Sequence, residues 1–509
     1  MKLFYPYLKK ELSFFINNPI ILFLLFFWMS IFFSVNSRPD EIQFFGIDIA
    51  RSINAARIFI PISLTYLTSF YLFFIFFINY KKIYYNKIYN ITFLFYIYCF
   101  LQALGLAFNA NLGFNLNNYF LAILSLGTLN ALLLLKIYKQ EKYGHLFIKA
   151  SIFVLITAII VIFYFKKNEI FHQLSFFNLY SLTRPHELFL YQEYPRSTGI
   201  SRTLAVINLF FLVYFTAIKN IKLKIIAYIP ILIVSFLIWA MQSRGTIICY
   251  YTAVIVLVVI DQNIVQKKII HLLLILVMPI LIFNFIITRS QNIDNVEKKF
   301  LERPIGKLDI EIRNTKVDET KIDERLEYFL DRGTPKLRVE VMQMDVPQKL
   351  VLLKSLIKSR PISRFERKGL NSSGRTTMWK YALKEYDKTK IFGYGPQADR
   401  YLLKRFMDNY STNISNAALH AFLNAGYFAL IIFLIIYLKL IYFIYKIMIT
   451  KKIISTKQSK IFRISLVFIV FFSVRALIEN SFTVFSIDFL IFIISVFIID
   501  ETHKKISYK

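Results

Sequence analysis

Runs of about twenty apolar residues recur along the chain, each long enough to cross the ~30 Å hydrocarbon core of a bilayer as a helix. In lipid the backbone must satisfy its own hydrogen bonds, and a helix does so within a single segment. The runs fall at 19–36, 56–79, 89–108, 119–137, 147–165, 203–218, 223–241, 246–261, 268–288, 417–446, 461–478 and 481–499. They predict an all-α polytopic membrane protein of about twelve transmembrane helices. A composition that is 57% apolar, with 54 Phe and 32 Tyr, lies well outside soluble-domain usage and agrees with that class.

Charge orients these spans. The formal net charge of +31 would suit a nucleic-acid binder, but most lysines sit in short loops between apolar runs, so no nucleic-acid partner is expected. Alternate loops carry Lys81, Lys82 and Lys87; Lys136, Lys139 and Lys142; Lys219, Lys222 and Lys224; Lys267 and Lys268; and Lys451, Lys452, Lys457, Lys460 and Arg463. The intervening short loops carry far fewer, and 109–118 has no charge. The positive-inside rule then puts both termini in the cytoplasm. The first helix reads as a retained signal anchor, because no small-residue cleavage site follows its apolar run. Cys99 and Cys249 lie inside apolar runs, which argues for neither a disulfide framework nor a cysteine-based zinc site.

Three parts follow: a membrane part at 1–288 with about nine helices, a large outward-facing loop at 289–416, and a membrane part at 417–509 with about three helices and a cytoplasmic tail. Over 346–408 the loop holds 15 basic and 5 acidic residues, an excess that the positive-inside rule does not explain for a long outer loop. Within it, Lys349–Lys358 reads as a basic amphipathic helix lying on membrane lipids.

Sidedness selects the residues with chemistry to do. Arg196, Arg202, Arg244, Arg375 and Arg475 come from four separate parts of the chain, and all fall at or near outer helix ends. A guanidinium stays charged when partly desolvated, and its planar fork matches phosphate oxygens, so these are candidate diphosphate ligands. Each could instead pair with a carboxylate or reach for lipid headgroups. Candidate bases on the outer side are His172, His186, His420, Glu187, Glu193 and Glu479, whereas His145, His271 and His503 fall on the cytoplasmic side. Glu479 follows Arg475 by one helical turn, and so could simply be its ion-pair partner. No spacing calls for a metal, and no cofactor is expected.

The stretch from Asn371 to Gly426 carries a further pattern: Ser373-Gly374-Arg375, Trp379, Ala382, Gly393, Gly395, Ser415-Asn416, Leu419 and Gly426, leading into an apolar helix. In this layout the chain resembles the O-antigen ligase and O-antigen polymerase superfamily of membrane glycosyltransferases. The resemblance implies metal-independent, inverting transfer at the periplasmic face of the bacterial inner membrane. The donor would be an undecaprenyl-diphosphate-linked oligosaccharide. The acceptor would be a sugar hydroxyl of another lipid-linked repeat (polymerase) or of lipid A core (ligase). Ligases of this kind carry His-Asn where this chain has Ser415-Asn416. Either His420 assumes the histidine's role, with Ser415, Asn416 and Glu479 around it, or the chain works without that histidine, which favours the polymerase reading. A protein O-oligosaccharyltransferase on the same scaffold, or a flippase for a polysaccharide or its lipid carrier, are the alternatives.

The topology is open to direct test. A reporter fused after Lys268 is expected to read cytoplasmic, and one inserted near Thr334 periplasmic; the same side for both would overturn the orientation.

Overall fold

The structure, a computed structural model, describes residues 43–44, 47–48, 63, 91–107, 140–165, 197–216, 221–241, 243–260, 277–282, 285, 375–386, 391–395, 399, 414–450, 456–479, 482 and 487–507. The spans expected at 19–36 and 119–137, nearly all of 56–79, most of 268–288 and most of the loop at 289–416, including Lys349–Lys358, lie outside these residues.

Among the described residues the architecture is helical, apart from a two-residue antiparallel pair, β1 (Gln43–Phe44) with β2 (Ile47–Asp48). The helices are α1 (Ile91–Ala107), α2 (Gln140–Phe165), α3 (Ser197–Thr216), α4 (Ile221–Ala240), α5 (Arg244–Ile260), α6 (Arg375–Lys384), α7 (Ala417–Thr450), α8 (Thr456–Ile478) and α9 (Ile487–Ser507). Three segments among them are long and apolar enough to cross a membrane: Thr198–Thr216, Ala417–Ile449 and Lys460–Ile478. Shorter apolar helices lie at Ile148–Ile160, Ala227–Ala240 and Arg244–Val259.

α8 and α9 form the centre. α9 packs on α8 and α2, α8 also on α5 and α3, and α7 lies across α1. Phe468, Phe471, Phe472, Phe482, Phe489 and Phe492 are buried here, with Phe482 and Phe492 rings 4.5 Å apart. Lipid supplies no hydrophobic drive between helices, so close packing and interhelical hydrogen bonds hold such a bundle. Asn208 of α3 provides one of these ties: its amide donates to Ser235 Oγ of α4 (2.8 Å) and to Tyr250 Oη of α5 (2.9 Å). Ile431, Leu434, Leu438, Ile441 and Tyr445 form an exposed apolar stripe at helical spacing on α7, as suits a lipid-facing surface.

α7 is broken at Gly426, whose φ of 73° and ψ of −165° no helix contains. The break strands carbonyls that the next turn would have engaged. The loop after α6 supplies the donors: Tyr394 N–H to Leu423 O at 2.9 Å and Gly395 N–H to Asn424 O at 2.8 Å. Gly393 and Gly395 take positive φ to make the approach. Gly105 of α1 closes the crossing from the other side, since a Cβ there would lie 2.6 Å from Asn424 O and 2.7 Å from Phe392 O. The 33 residues of Ala417–Ile449 would make a continuous helix of about 50 Å, longer than the bilayer core requires. The break divides this length, leaving the first two turns of α7 to carry polar groups.

Gly426→Ala is expected to destabilise the full-length protein severely, because its Cβ would collide with the Ile391 carbonyl oxygen in a backbone conformation that L-residues avoid. Gly199→Ala, with nothing within 4 Å of the new methyl, should leave the melting temperature in detergent unchanged or slightly raised.

Candidate functional site

Four of the five expected arginines converge on the C-terminal end of α8. Arg475 stands in the last turn of α8, where a cation suits the helix dipole, and Asp488 stands in the first turn of α9, where an anion does. The two meet: Arg475 Nη1 donates to Asp488 Oδ2 at 2.8 Å. Arg202 of α3 donates to the same oxygen through its Nη1 at 2.9 Å. A single carboxylate oxygen thus joins three helices. Asp488 and Arg475 are buried, whereas the Arg202 side chain keeps 21% of its surface exposed.

Arg375 opens α6 and donates through Nη2 to Glu479 Oε1 at 2.8 Å, with about a quarter to a third of each side chain exposed. Spacing alone suggested Arg475 as the partner of Glu479; the structure adds one 104 residues away. Arg244 begins α5 after a short turn, half-buried, next to Gly245, which lies against Ile478 just before Glu479. Arg202, Arg244, Arg375, Arg475, Glu479 and Asp488 therefore share one end of the bundle. Arg196 lies outside the described residues, as do His172, His186, Glu187 and Glu193.

Ser415, Asn416 and His420 stand beside this end but have local duties. Asn416 caps α7: its Oδ1 accepts from Leu419 N–H at 2.9 Å, a bond of the kind that stabilises by ~1 kcal/mol. Its Nδ2 donates to Leu477 O at 3.2 Å, tying α7 to the end of α8. Ser415 takes a φ of 51°, unusual for a residue other than glycine and costing about 1–3 kcal/mol. Trp379 Nε1 donates to Ile414 O at 2.6 Å, and Ala382, Tyr386, Tyr394, Ile414, Phe422 and Leu423 form a small core beneath α6. Most of the motif read from the sequence therefore docks the loop onto the broken helix.

His420 is 2% exposed. Asn424 Nδ2 lies 2.8 Å from its Nδ1 and 2.9 Å from its Nε2, and Asp399 Oδ1 lies 3.5 Å from Nδ1. Asp399 Oδ2 accepts from Ile414 N–H at 3.0 Å, and Asp399 N–H donates to Asn424 Oδ1 at 3.3 Å. The imidazole is thus enclosed, with Asn424 and Asp399 as its polar neighbours.

Asp488, Asp399 and Asn424 were not among the residues singled out from the sequence. Asp488 did leave a signal, being the lone charge in the apolar run 481–499, where an ionisable group marks a site by default. Asp399 and Asn424 left none, since their partnership exists only across the helix break.

Residues 229–434 match a family model described as O-antigen ligase. No curated protein and no solved structure matches the chain. The matched segment contains Arg244, Arg375, the loop glycines and the first turns of α7.

Asp488→Ala removes a buried carboxylate from two guanidiniums and is expected to cost about 3–5 kcal/mol of stability, read as a fall in melting temperature in detergent. Replacing Arg475 by Leu in the same chain should recover part of that loss, because the buried charge goes with its partner.

Proposed function

We propose, from the match of residues 229–434 to the O-antigen ligase family model, that the chain transfers a glycan from an undecaprenyl-diphosphate carrier to a sugar hydroxyl at the periplasmic face of the bacterial inner membrane. The observation that carries this reading is the convergence, among the described residues, of Arg202, Arg244, Arg375 and Arg475 on one end of α8. A cluster of guanidiniums, in which Arg375 and Arg202 keep part of their surface exposed, suits a diphosphate.

In this mechanism the acceptor oxygen attacks the anomeric carbon as the bond from that carbon to the diphosphate oxygen breaks. The glycosidic bond forms with inversion, and the lipid diphosphate leaves with the bonding electron pair. Arginines fixed in advance stabilise the charge that develops on the leaving group, which is where preorganised cations act most strongly. We assign the acceptor's proton to Glu479, supported by its partial exposure beside Arg375 and by the enclosure of His420. Ser415, in place of the histidine that ligases of this type carry, favours a lipid-linked repeat as acceptor, and hence polymerase chemistry.

Transfer in membranes or proteoliposomes tests this, with a lipid-diphosphate oligosaccharide as donor. Arg244→Lys and Arg375→Lys should each lose most activity while the protein still accumulates, because lysine keeps the charge but not the fork. Glu479→Gln should lose about 10²-fold or more in turnover. Full activity in both lysine variants would reject the diphosphate clamp.

A further inference from the structure

His420 is enclosed, yet its surroundings are neither apolar nor arbitrary. In a neutral imidazole one nitrogen donates and the other accepts. Asn424 Nδ2 lies 2.8 Å from Nδ1 and 2.9 Å from Nε2, so its amide can donate to whichever ring nitrogen carries no hydrogen, while Asp399 Oδ1 lies 3.5 Å from Nδ1 without hydrogen-bonding to it. The other oxygen of each partner is engaged as well: Asp399 Oδ2 takes the Ile414 N–H, and Asn424 Oδ1 takes the Asp399 N–H. These bonds join the loop at Asp399, the turn at Ile414 and the first two turns of α7 into one buried unit, in which Asp399 and Asn424 are 0% exposed.

What this unit holds is specific. Ile414 is gripped at both backbone groups, its N–H by Asp399 and its carbonyl by Trp379 at 2.6 Å. The next residue, Ser415, sits in the left-handed region with φ 51°, a conformation that persists only where its surroundings enforce it. Asn416 follows, and its amide reaches Leu477 O, two residues before Glu479. The ring reaches this turn through Asn424, whose Oδ1 accepts from the Asp399 N–H, and Asp399 in turn holds Ile414.

We propose that His420, Asp399 and Asn424 form one positioning clamp that fixes the Ile414–Asn416 turn, and through Asn416 the end of α8 bearing Glu479. His420 is then a positioning residue and not the proton acceptor. The clamp rests on the hydrogen bonds of Asn424 to His420 and Asp399 and of Asp399 to Ile414, with Asp399 Oδ1 3.5 Å from the ring; its consequence for turnover rests on the glycosyl-transfer reading given above.

Glutamine separates the two roles. Its amide donates and accepts as the neutral imidazole does, but it cannot take a proton near neutral pH. For the full-length protein, His420→Gln is expected to keep turnover within a few-fold of wild type, with an unchanged pH profile. His420→Ala should lose turnover by about tenfold or more, since small misplacements near the reacting centre are costly, with little change in donor KM. A His420→Gln variant as inactive as His420→Ala, with the protein folded, would overturn the proposal and return the imidazole to proton transfer. Thermal unfolding in detergent tests the clamp without reference to activity. His420→Ala and Asp399→Ala should each lower the melting temperature, and the double variant should fall by less than the two losses combined. Additive losses would overturn the clamp even if every variant transferred glycan. Non-additive losses in a protein whose wild type moves no glycan would uphold the clamp and reject the glycosyl-transfer reading instead.

Discussion

The break in α7 is the constraint on which the rest of the site depends. At Gly426 the helix turns into a conformation with φ 73°, and the carbonyls of Leu423 and Asn424 lose their helical partners. Within or near lipid, stranded carbonyls of this kind are tolerated only where protein re-satisfies them. The backbone of Tyr394 and Gly395 does so, at 2.9 and 2.8 Å. That approach is possible because Gly393 and Gly426 present no side chain to each other's backbone, and because Gly105 lets α1 lie directly behind. The loop is thus bound to the membrane helix by main-chain hydrogen bonds, a firmer attachment than surface side chains would give.

A second set of constraints gathers the charges. Arg475 and Asp488 each sit at the helix end whose dipole favours their sign, and each is buried. Burying either alone would carry a penalty of several kcal/mol. Together, and with Arg202 on the same carboxylate oxygen, they anchor α3, α8 and α9 at one level. Arg375 and Glu479 add α6 to that level through a pair that remains partly exposed. Exposure and burial divide the labour: the buried pair fixes the helix ends, and the open pair faces what approaches them.

The far end of the same helices has a different character. His503 of α9 stacks on Phe443 of α7 at 4.5 Å, Lys446 lies over the Tyr442 ring, and Lys504 pairs with Asp500. Burial and the nearby Lys446 lower the pKa of His503 from its ordinary value. Among the described residues, Arg202, Arg244, Arg375 and Arg475 lie at one end, and this mixture at the other.

The sequence by itself determined the class of the molecule. Apolar runs of helical length with charge between them leave a membrane helix bundle as the reading, and runs such as 203–218, 417–446 and 461–478 reappear as α3, α7 and α8. The motif from Arg375 to Gly426 was legible as a resemblance, and the turn at Gly393 from its glycines, but the partners of Trp379 and Gly426, Ile414 and Ile391, lie 35 residues away and were not. Which arginine meets which carboxylate was not legible: Arg375 and Glu479 are 104 residues apart and Arg202 and Asp488 are 286 apart, and only packing brings such pairs together. The place of His420 was likewise a tertiary decision. A histidine near the start of a membrane helix reads from sequence as an accessible base. The break at Gly426 and the loop that fills it bring Asp399 to the ring and leave it buried, because carbonyls stranded by the break had to be met by some other part of the chain.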